Sequence, residues 1–258
     1  MRRFYPFVFF VLLILSANAQ TPSVGGVANA ASGATTIAPG SLASIFGSEL
    51  ASGLAQADSV PLSNKIGDVS VTFNSIPAPL LFVSPGQVNV QVPGAIPGGT
   101  ATVVVTRNGV SSPPQSLQVG TFSPGIFASQ QGNQLLAVAV NFNDNTLAWP
   151  SSVTSGVHPA SPGGILTIYA TGLGPVNTAV ADGHAPPPGT LVLTNTPPTV
   201  LVGGMSVNVL GSALSPQFVG VNQINVQLPQ NVPTGDSVSL QLQMGGITST
   251  DQVKIAIH

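Results

Sequence analysis

Charge is scarce in this sequence. Charged residues make up 5% of the 258 residues, against about 25% in an ordinary domain. After the first three residues, the only lysines and arginines are Lys65, Arg107 and Lys254. Three dispersed cations neither neutralise a run of phosphates nor form a polybasic face for anionic lipid. We therefore expect no nucleic-acid partner and an exterior rich in Ser, Thr, Asn and Gln.

Cysteine is absent. No disulfide can staple the chain, so each folded unit has to be held together by its own apolar core. The absence also excludes a lipoprotein anchored through cysteine and a cysteine nucleophile. The apolar pattern of the chain therefore carries the prediction of the fold.

Sequence motifs for catalysis are missing as well. The chain has no Gly-x-Ser-x-Gly and no His-Glu-x-x-His motif, which are the common signatures of a serine nucleophile and of a zinc protease. Its histidines are His158, His184 and His258. We predict that the protein is not an enzyme and uses no cofactor.

The N-terminus has the pattern of a signal peptide. Arg2 and Arg3 give a positive start, and residues 7–15 form an apolar run too short to span a bilayer comfortably. Ala17-Asn18-Ala19 then fits the small-x-small cleavage pattern, which leaves Gln20 as the first mature residue. No later segment is long and apolar enough for a membrane helix. We expect export to the extracellular space, the cell surface or the periplasm, without membrane insertion after cleavage.

One strand pattern is written twice. GQVNVQVP at residues 86–93 recurs as NQINVQLP at residues 222–229. In both copies small apolar residues alternate with amides, and a proline ends the run. Because side chains on a strand alternate between faces, each copy predicts a half-buried β-strand. The chain is therefore expected to be a tandem of two related β units.

The repeat extends to both sides of this strand. Residues 38–50 match residues 161–173, each with a Pro-Gly turn before a strand, and residues 100–112 match residues 237–249. No stretch shows sustained apolar periodicity of 3.6 residues, so helix is expected to be scarce. We predict an all-β fold of two tandem immunoglobulin-like β-sandwich domains after the signal peptide.

The expected division of the chain follows from the repeat. The signal peptide takes residues 1–19, the first sandwich residues 20–121 and the second residues 122–258, with a short joint near residues 120–124. Dipeptides that tolerate positive φ mark the tight hairpin turns. They are Asn74-Ser75, Asn108-Gly109, Gly203-Gly204 and Gly245-Gly246.

Several motifs, taken in order, resemble a known family. The resemblance to the Solibacter-type C-terminal domain family of exported acidobacterial proteins rests on APGSLASIFGSEL, VSVTFNSIPAPLLFVSPGQVNVQVP, TATVVVTRNGVSS, SPGIF and SPGGILTIYATGLGPV. It runs from about residue 24 to the C-terminus. Each half also resembles an immunoglobulin-like module of the IPT/TIG type in its PGSLASIFGS or PGGILTIYATG strand. The resemblance implies the fold and export, and it implies no biochemical activity.

The second copy is longer than the first between the Pro-Gly turn and the amide strand. Much of the excess is a proline-rich loop at residues 173–190, which carries Asp182 and His184. Loops on a rigid scaffold commonly carry function, so these side chains are binding candidates. The single tryptophan, Trp149, is another: exposed, it could stack on a sugar ring, and buried, it could pack at the joint. Phenylalanines at strand positions are expected in the core: Phe46, Phe73 and Phe82.

Two further polar groups are candidates for binding. The amides of the repeated strands form a ladder for sugar hydroxyls or another sheet edge, and the alternative is an ordinary solvated face. They are Gln87, Asn89, Gln91, Gln223, Asn225 and Gln227. NFNDNT at residues 141–146 has the oxygen density of a calcium loop but lacks its spacing. We therefore expect a hairpin turn at Asp144-Asn145 and no metal site, with Asp144 as the weak candidate for a metal ligand.

These features predict a non-catalytic secreted or cell-surface module with a structural, adhesive or protein-interaction role. One alternative is a carbohydrate-binding module that uses the loop of the second domain. Another is a self-assembling surface subunit that pairs its sheet edges. The expected partner is an extracellular protein or polysaccharide.

Overall fold

The structure of the protein is a computed structural model that describes residues 20–249 and 252–258. The predicted signal peptide, residues 1–19, lies outside the described residues. Within them the regular structure is β-strand, with no helix. Accordingly, the described part of the chain contains no helix of the length and apolar character that a membrane span requires.

The first half of the chain forms strands β1 to β12. Their bounds are Ser23–Asn29, Thr36–Ile37, Leu42–Ser48, Ala55–Gln56, Lys65–Ile66, Val69–Phe73, Ile76–Pro77, Leu80–Val83, Gln87–Gln91, Gly99–Arg107, Val110–Ser111 and Gln115–Val119. One sheet has the order β1-β3-β9-β8-β4. The other has the order β2-β12-β10-β6-β5, with β7 paired to β6 and β11 paired to β10. The two sheets face each other as a sandwich around one core.

The second half forms strands β13 to β23. Their bounds are Gly125–Ile126, Ala128–Gln131, Gln134–Ala137, Ala139–Asn141, Ile165–Thr171, Thr199–Val202, Met205–Leu214, Asn222–Gln227, Gly235–Met244, Ile247–Thr248 and Val253–Ile257. They follow one hydrogen-bonded path, β13-β17-β20-β19-β18-β21-β23-β15-β14, with β16 beside β17 and β22 beside β21. The path is continuous because β19 runs from one layer of the sandwich into the other.

The alternation of inward and outward side chains along the strands determines which residues form the two cores. The valines and isoleucine inside β9 and β20 are fully buried, as the repeated pattern predicts. One apolar cluster takes its residues from Val27 to Val119, and a second takes them from Ile126 to Ile257. The clusters share no residue. The predicted all-β fold with two immunoglobulin-like sandwiches is confirmed.

The two halves differ in the strand that passes between their sheets. In the second half, β19 pairs first with β18 and then with β20, with a register shift between Val209 and Gly211. In the first half the same passage is broken into β7 and β8, which pair in different sheets. Pro77 and Pro79 stand at the break, and a proline has no N–H to continue a ladder.

The four predicted hairpin dipeptides all adopt positive φ. They join β6 to β7, β10 to β11, β18 to β19 and β21 to β22. Asn74-Ser75 does so without glycine, with φ of 46° and 67°. Two consecutive residues with positive φ are typical of the type I′ turn, so the turn prediction is confirmed.

The prediction for the phenylalanines is only partly right. Phe73 is fully buried and Phe82 is half-buried, but Phe46 is 46% exposed. The reason is the alternation along β3, where the adjacent Ile45 points into the core and is fully buried. Phe46 must therefore face outward.

Candidate functional site

The two sandwiches meet through buried hydrogen bonds. Thr171, the last residue of β17, has its hydroxyl between them: Oγ1 accepts from the backbone N–H of Leu42 at 2.9 Å and donates to the carbonyl of Gly220 at 2.7 Å. Asn29 in the first half donates from Nδ2 to the carbonyl of Ser123 at 2.7 Å. Directional bonds of this kind, out of reach of water, fix how the two surfaces lie on each other.

Backbone also approaches backbone closely at this junction. Gly172 has φ of 80°, and a Cβ built on it would lie 1.9 Å from the carbonyl oxygen of Ser123. A Cβ on Gly220 would lie 2.6 Å from Cδ2 of Leu42. At Gly172 a side chain would meet backbone that cannot move aside, whereas at Gly220 it would meet the movable end of the Leu42 side chain in a backbone conformation that favours glycine.

The loop at residues 173–190 reaches across to the first half. Asp182 Oδ1 accepts from the N–H of Gly94 at 2.9 Å. Gly183 donates its N–H to Gln91 Oε1 at 2.6 Å and accepts from the N–H of Leu62 at 2.8 Å. The loop is therefore fastened to the other sandwich at its middle, through Asp182 and Gly183.

A cleft lies between the junction and this loop. It has a volume of about 620 Å³, and both halves line it. The first half contributes Gln91 and neighbouring turns, and the second contributes the loop with Asp182 and His184. Three of the predicted candidates, taken from two separate motifs, are thus brought together in one concave site. A cleft between domains is a preferred place for ligand binding.

The described lining of the cleft contains a single carboxylate, and that carboxylate is not paired with the neighbouring histidine. Asp182 is the one carboxylate among the described residues that line it, and neither lysine nor arginine is among them. His184 Nδ1 lies 3.1 Å from the backbone carbonyl of Asp182, not from its carboxylate. The two side chains therefore do not form the hydrogen-bonded dyad that would activate a nucleophile.

Two residues of the cleft were not among the predicted candidates. Phe218 is 51% exposed at the cleft, and its ring makes an edge contact with Tyr169, with centroids 6.2 Å apart and an interplanar angle of 82°. Asn222, the first residue of β20, is 4% exposed and lines the same cleft. The available signals were an insertion and a substitution: residues 217–221 stand between Ser-Pro and the repeated octapeptide, which follows Ser-Pro directly in the first copy, and Asn222 replaces Gly86 as its first residue.

Trp149 is not an exposed platform. It is 6% exposed, and its indole Nε1 donates to the carbonyl of Ala137 in β15 at 2.7 Å. The hypothesis that it stacks on a sugar in solvent is therefore wrong, because the residue is buried and its N–H is satisfied by a carbonyl of the second half.

The first two amides of each repeated strand are half-buried and bonded to their neighbours. Asn89 Oδ1 accepts from Ser44 at 3.0 Å and from Gln87 Nε2 at 2.8 Å. The second copy repeats the pattern, with Asn225 Oδ1 accepting from Thr167 at 2.9 Å and from Gln223 Nε2 at 3.4 Å. The structure does not bring these four amides into the cleft, since none lines it.

The third amide of each repeated strand bonds to a turn in its own half. Gln91 Nε2 is 3.5 Å from the carbonyl of Gly40, and Gln227 Nε2 donates to the carbonyl of Gly163. Both carbonyls belong to the Pro-Gly turn that precedes the neighbouring strand. Gln91 differs from Gln227 because it also accepts from Gly183 and so holds the loop of the other half.

Asp144 lies in a turn and is fully engaged. Its Oδ1 accepts from the N–H and hydroxyl of Thr146 at 3.0 and 2.7 Å, and its Oδ2 lies 2.8 Å from His158 Nε2. The hydrogen bond from His158, followed by those from Thr146, lowers the pKa of Asp144 from 3.8 to about 2. Asn145 has φ of 59°, which fits the predicted turn. Among the described residues no group of three or more His, Asp or Glu side chains could hold a metal ion.

Comparison with known proteins agrees with the fold. Residues 32–119 match the family model of the IPT/TIG domain, which lies within the first sandwich. No curated protein matches the sequence.

Three solved structures illustrate the likeness. SGBP-B of the Bacteroides ovatus mixed-linkage glucan utilization locus, in complex with a mixed-linkage heptasaccharide, is 13% identical with a TM-score of 0.33, covering 86% of this chain and 43% of that one. Gamma-CGTase from alkalophilic Bacillus clarkii is 14% identical with a TM-score of 0.30, covering 90% and 25%. The plexin A4 extracellular region is 13% identical with a TM-score of 0.28, covering 95% and 19%. The chain spans less than half the length of each structure, and at these scores the likeness assigns it no function.

Proposed function

We propose that the protein is a non-catalytic exported module that acts as a rigid pair of sandwiches in cell-surface architecture, adhesion or protein interaction. The observation that carries this proposal is the junction. Its buried bonds at Thr171 and its glycine contacts at Gly172 and Gly220 hold the halves in one relative arrangement. A protein that presents loops and sheet faces to a partner gains affinity from such preorganisation.

The composition and the family likeness support the same role. The IPT/TIG match at residues 32–119 and the immunoglobulin-like sandwiches are those of a binding or spacing module, and the resemblance to the Solibacter-type family adds export. In this proposal the chain divides at residues 121 and 122. Phe122 supports that division because its ring packs against the second core.

Small-angle X-ray scattering of the protein, taken from Gln20 onward, tests the rigid pair. We expect one conformation to reproduce the scattering curve. A curve that requires a broad ensemble of angles between the halves would contradict the proposal.

Cell fractionation tests the exported location. We expect the protein in the periplasm, at the surface or in the medium, with Gln20 as its N-terminal residue by mass spectrometry. A deletion strain should lose surface attachment or envelope integrity, and the complemented strain should regain it. Recovery from the cytoplasm with Met1 still present would sink the idea.

Carbohydrate binding is a second candidate function, and one observation favours it. The loop at residues 173–190 forms one wall of a cleft that also contains the amide Gln91. The expected partner remains an extracellular protein or polysaccharide, and the cleft is the place where the second kind of partner would bind.

A further inference from the structure

We infer that the cleft between the sandwiches is a binding site for a neutral sugar ring, with Phe218 as its stacking surface and Asn222 as its hydrogen-bonding anchor. The inference rests on the proposed function, because it requires the two halves to stay in one arrangement. It adds a ligand class and two residues that are not among the binding candidates predicted from the sequence.

Phe218 provides the aromatic surface. It is 51% exposed although it sits on the cleft, so one side of the ring is available to a ligand. The edge contact with Tyr169 holds the ring in place at a centroid distance of 6.2 Å. A held and accessible aromatic face suits the C–H surface of a sugar ring, because stacking buries apolar area without ordering a flexible side chain.

Asn222 provides the polar anchor. The residue is 4% exposed, and its side-chain amide, which reaches the cleft, makes no hydrogen bond to the described residues. Its backbone is held in β20, paired with Ala170 on one side and Leu214 on the other. Buried polar groups are normally satisfied, so an unpartnered amide that lines a cavity points to a ligand or solvent that satisfies it.

The charge of the lining selects among ligands. Without lysine or arginine on the described lining, a phosphate or carboxylate has no countercharge, and Asp182 would repel it. A wholly apolar ligand would leave the Asn222 amide unsatisfied, which costs binding free energy. Hydroxyl groups suit the site because each can donate to Asp182 Oδ2 or Asn222 Oδ1 and accept from Asn222 Nδ2. A neutral polyhydroxylated ring carries no negative charge for Asp182 to repel, satisfies the Asn222 amide and supplies the hydroxyl groups that suit the site.

The size of the cleft is consistent with such a ligand. Its volume of about 620 Å³ lies in the usual range for small-molecule sites, about 300–1,000 Å³. Its walls are mainly Gly, Ala, Pro and Val, so ring faces can approach the backbone closely. The site is therefore large enough for the end of an oligosaccharide.

Titration with defined sugars tests the inference. Calorimetry with cellohexaose, maltohexaose, xylohexaose and mannohexaose is compared with trigalacturonate, as an anion, and choline, as a cation. We expect at least one neutral sugar to bind. Phe218→Ala and Asn222→Ala should each weaken that binding about tenfold or more. Phe142→Ala is the matched control, because Phe142 is also 51% exposed but does not line the cleft, and it should bind as the wild type does.

Thermal melting accompanies each titration. Asn222→Ala should lower the midpoint only slightly, because the side chain has packing but no hydrogen bond to the described residues to lose. Absence of binding by every neutral sugar at a Kd of about 1 mM or tighter overturns the inference. So does tighter binding of trigalacturonate or choline, or wild-type binding by a folded Phe218→Ala. If scattering still shows a rigid pair in those cases, the proposed function stands and only the sugar site fails.

Discussion

Strands β3 and β17 occupy matching positions in the two halves, and the chain leaves both with a positive φ but with a different residue. Glu49 follows β3 with φ of 56°, and Gly172 follows β17 at the matching position with φ of 80°. The carboxylate of Glu49 pairs with Arg107 at 2.6 Å near the surface. Gly172 instead lies against the backbone of Ser123. Both copies therefore share the positive-φ backbone conformation at this position. The residue differs because the end of β3 lies near the surface, whereas the end of β17 packs against the backbone of Ser123.

The extra segments of the second half make the same point. The loop at residues 173–190 is fastened to the first half by Asp182 and Gly183, and the insertion at residues 217–221 brings Gly220 against Leu42. Both departures from the repeat therefore serve the junction and the cleft. The two copies therefore differ in the segments that join one sandwich to the other.

Among the substitutions considered, Gly172→Ala should lower the free energy of unfolding the most. An added Cβ meets the Ser123 carbonyl at 1.9 Å in a backbone conformation that L residues rarely adopt. We expect the free energy of unfolding to fall by about 3 kcal/mol, which lowers the midpoint of a thermal melt by about 6–12 °C. Chemical denaturation measures the change.

The counterpart position supplies the control. Glu49→Gly and Glu49→Ala differ only in the cost of a Cβ at positive φ, since both remove the Arg107 ion pair. We expect that difference to be about 1 kcal/mol. If Gly172→Ala lowers the free energy of unfolding by no more than the difference between Glu49→Gly and Glu49→Ala, close packing against Ser123 contributes nothing to stability.

Thr171→Val should have the next largest effect. Valine keeps the shape but removes the hydroxyl that serves Leu42 and Gly220, so a buried N–H and a buried carbonyl lose their partner. We expect a loss of about 2 kcal/mol in a denaturant titration. The matched residue in the first half is Ser48, which is exposed at the end of β3. Ser48→Val should change stability by less than about 0.5 kcal/mol, and an equal loss for both would refute a special role for Thr171.

The sequence predicts the strands and turns that repeat, and it identifies the unrepeated loop at residues 173–190, but it does not predict the contacts between the two copies. The alternation in β9 and β20 and the turn at Asn74-Ser75 are local patterns, and the structure has them as expected. Asp182-Gly183 has the positive φ of a turn at Gly183, but its bond to Gln91 joins residues 92 positions apart. No local pattern encodes a contact of that separation.

The environments of two aromatic residues could not be predicted for a related reason. Trp149 lies in an irregular segment next to Pro150, where no periodicity separates an inward side chain from an outward one. Phe218 lies in an insertion without a counterpart, so the repeat says nothing about its environment. The cleft could have been approached from the sequence only by treating each insertion as a possible contact between the copies.

Gln91→Leu tests whether the third amide of β9, unlike that of β20, holds the loop of the other half. Leucine removes the acceptor for Gly183, and we expect a loss of about 1 kcal/mol with faster hydrogen exchange at the Gly183 amide. Gln227→Leu is the control, since Gln227 serves only the turn of its own half. It should leave exchange at Gly183 unchanged. Equal exchange in both variants would show that Gln91 does not hold the loop.

The smallest effect is expected at the Asp144–His158 pair, which lies on the second half away from the cleft. Hydrogen bonding to Asp144 raises the pKa of His158 above 6.5, and the pKa of Asp144 is lowered to about 2. The stabilisation from Asp144 is present above pH 3.8 and fades as the pH falls toward 2. The stabilisation from protonated His158 is present below pH 6.5 and fades as the pH rises through its raised pKa.

Asp144→Asn tests this pH window, because asparagine keeps an oxygen for Thr146 and loses the charge beside His158. Both side chains are about half exposed, so the difference in melting midpoint should be small. It should be largest between about pH 4 and 6.5 and should shrink on either side. An NMR titration should show the pKa of His158 moving down in the variant. An unchanged His158 titration would mean that the 2.8 Å contact does not persist in solution.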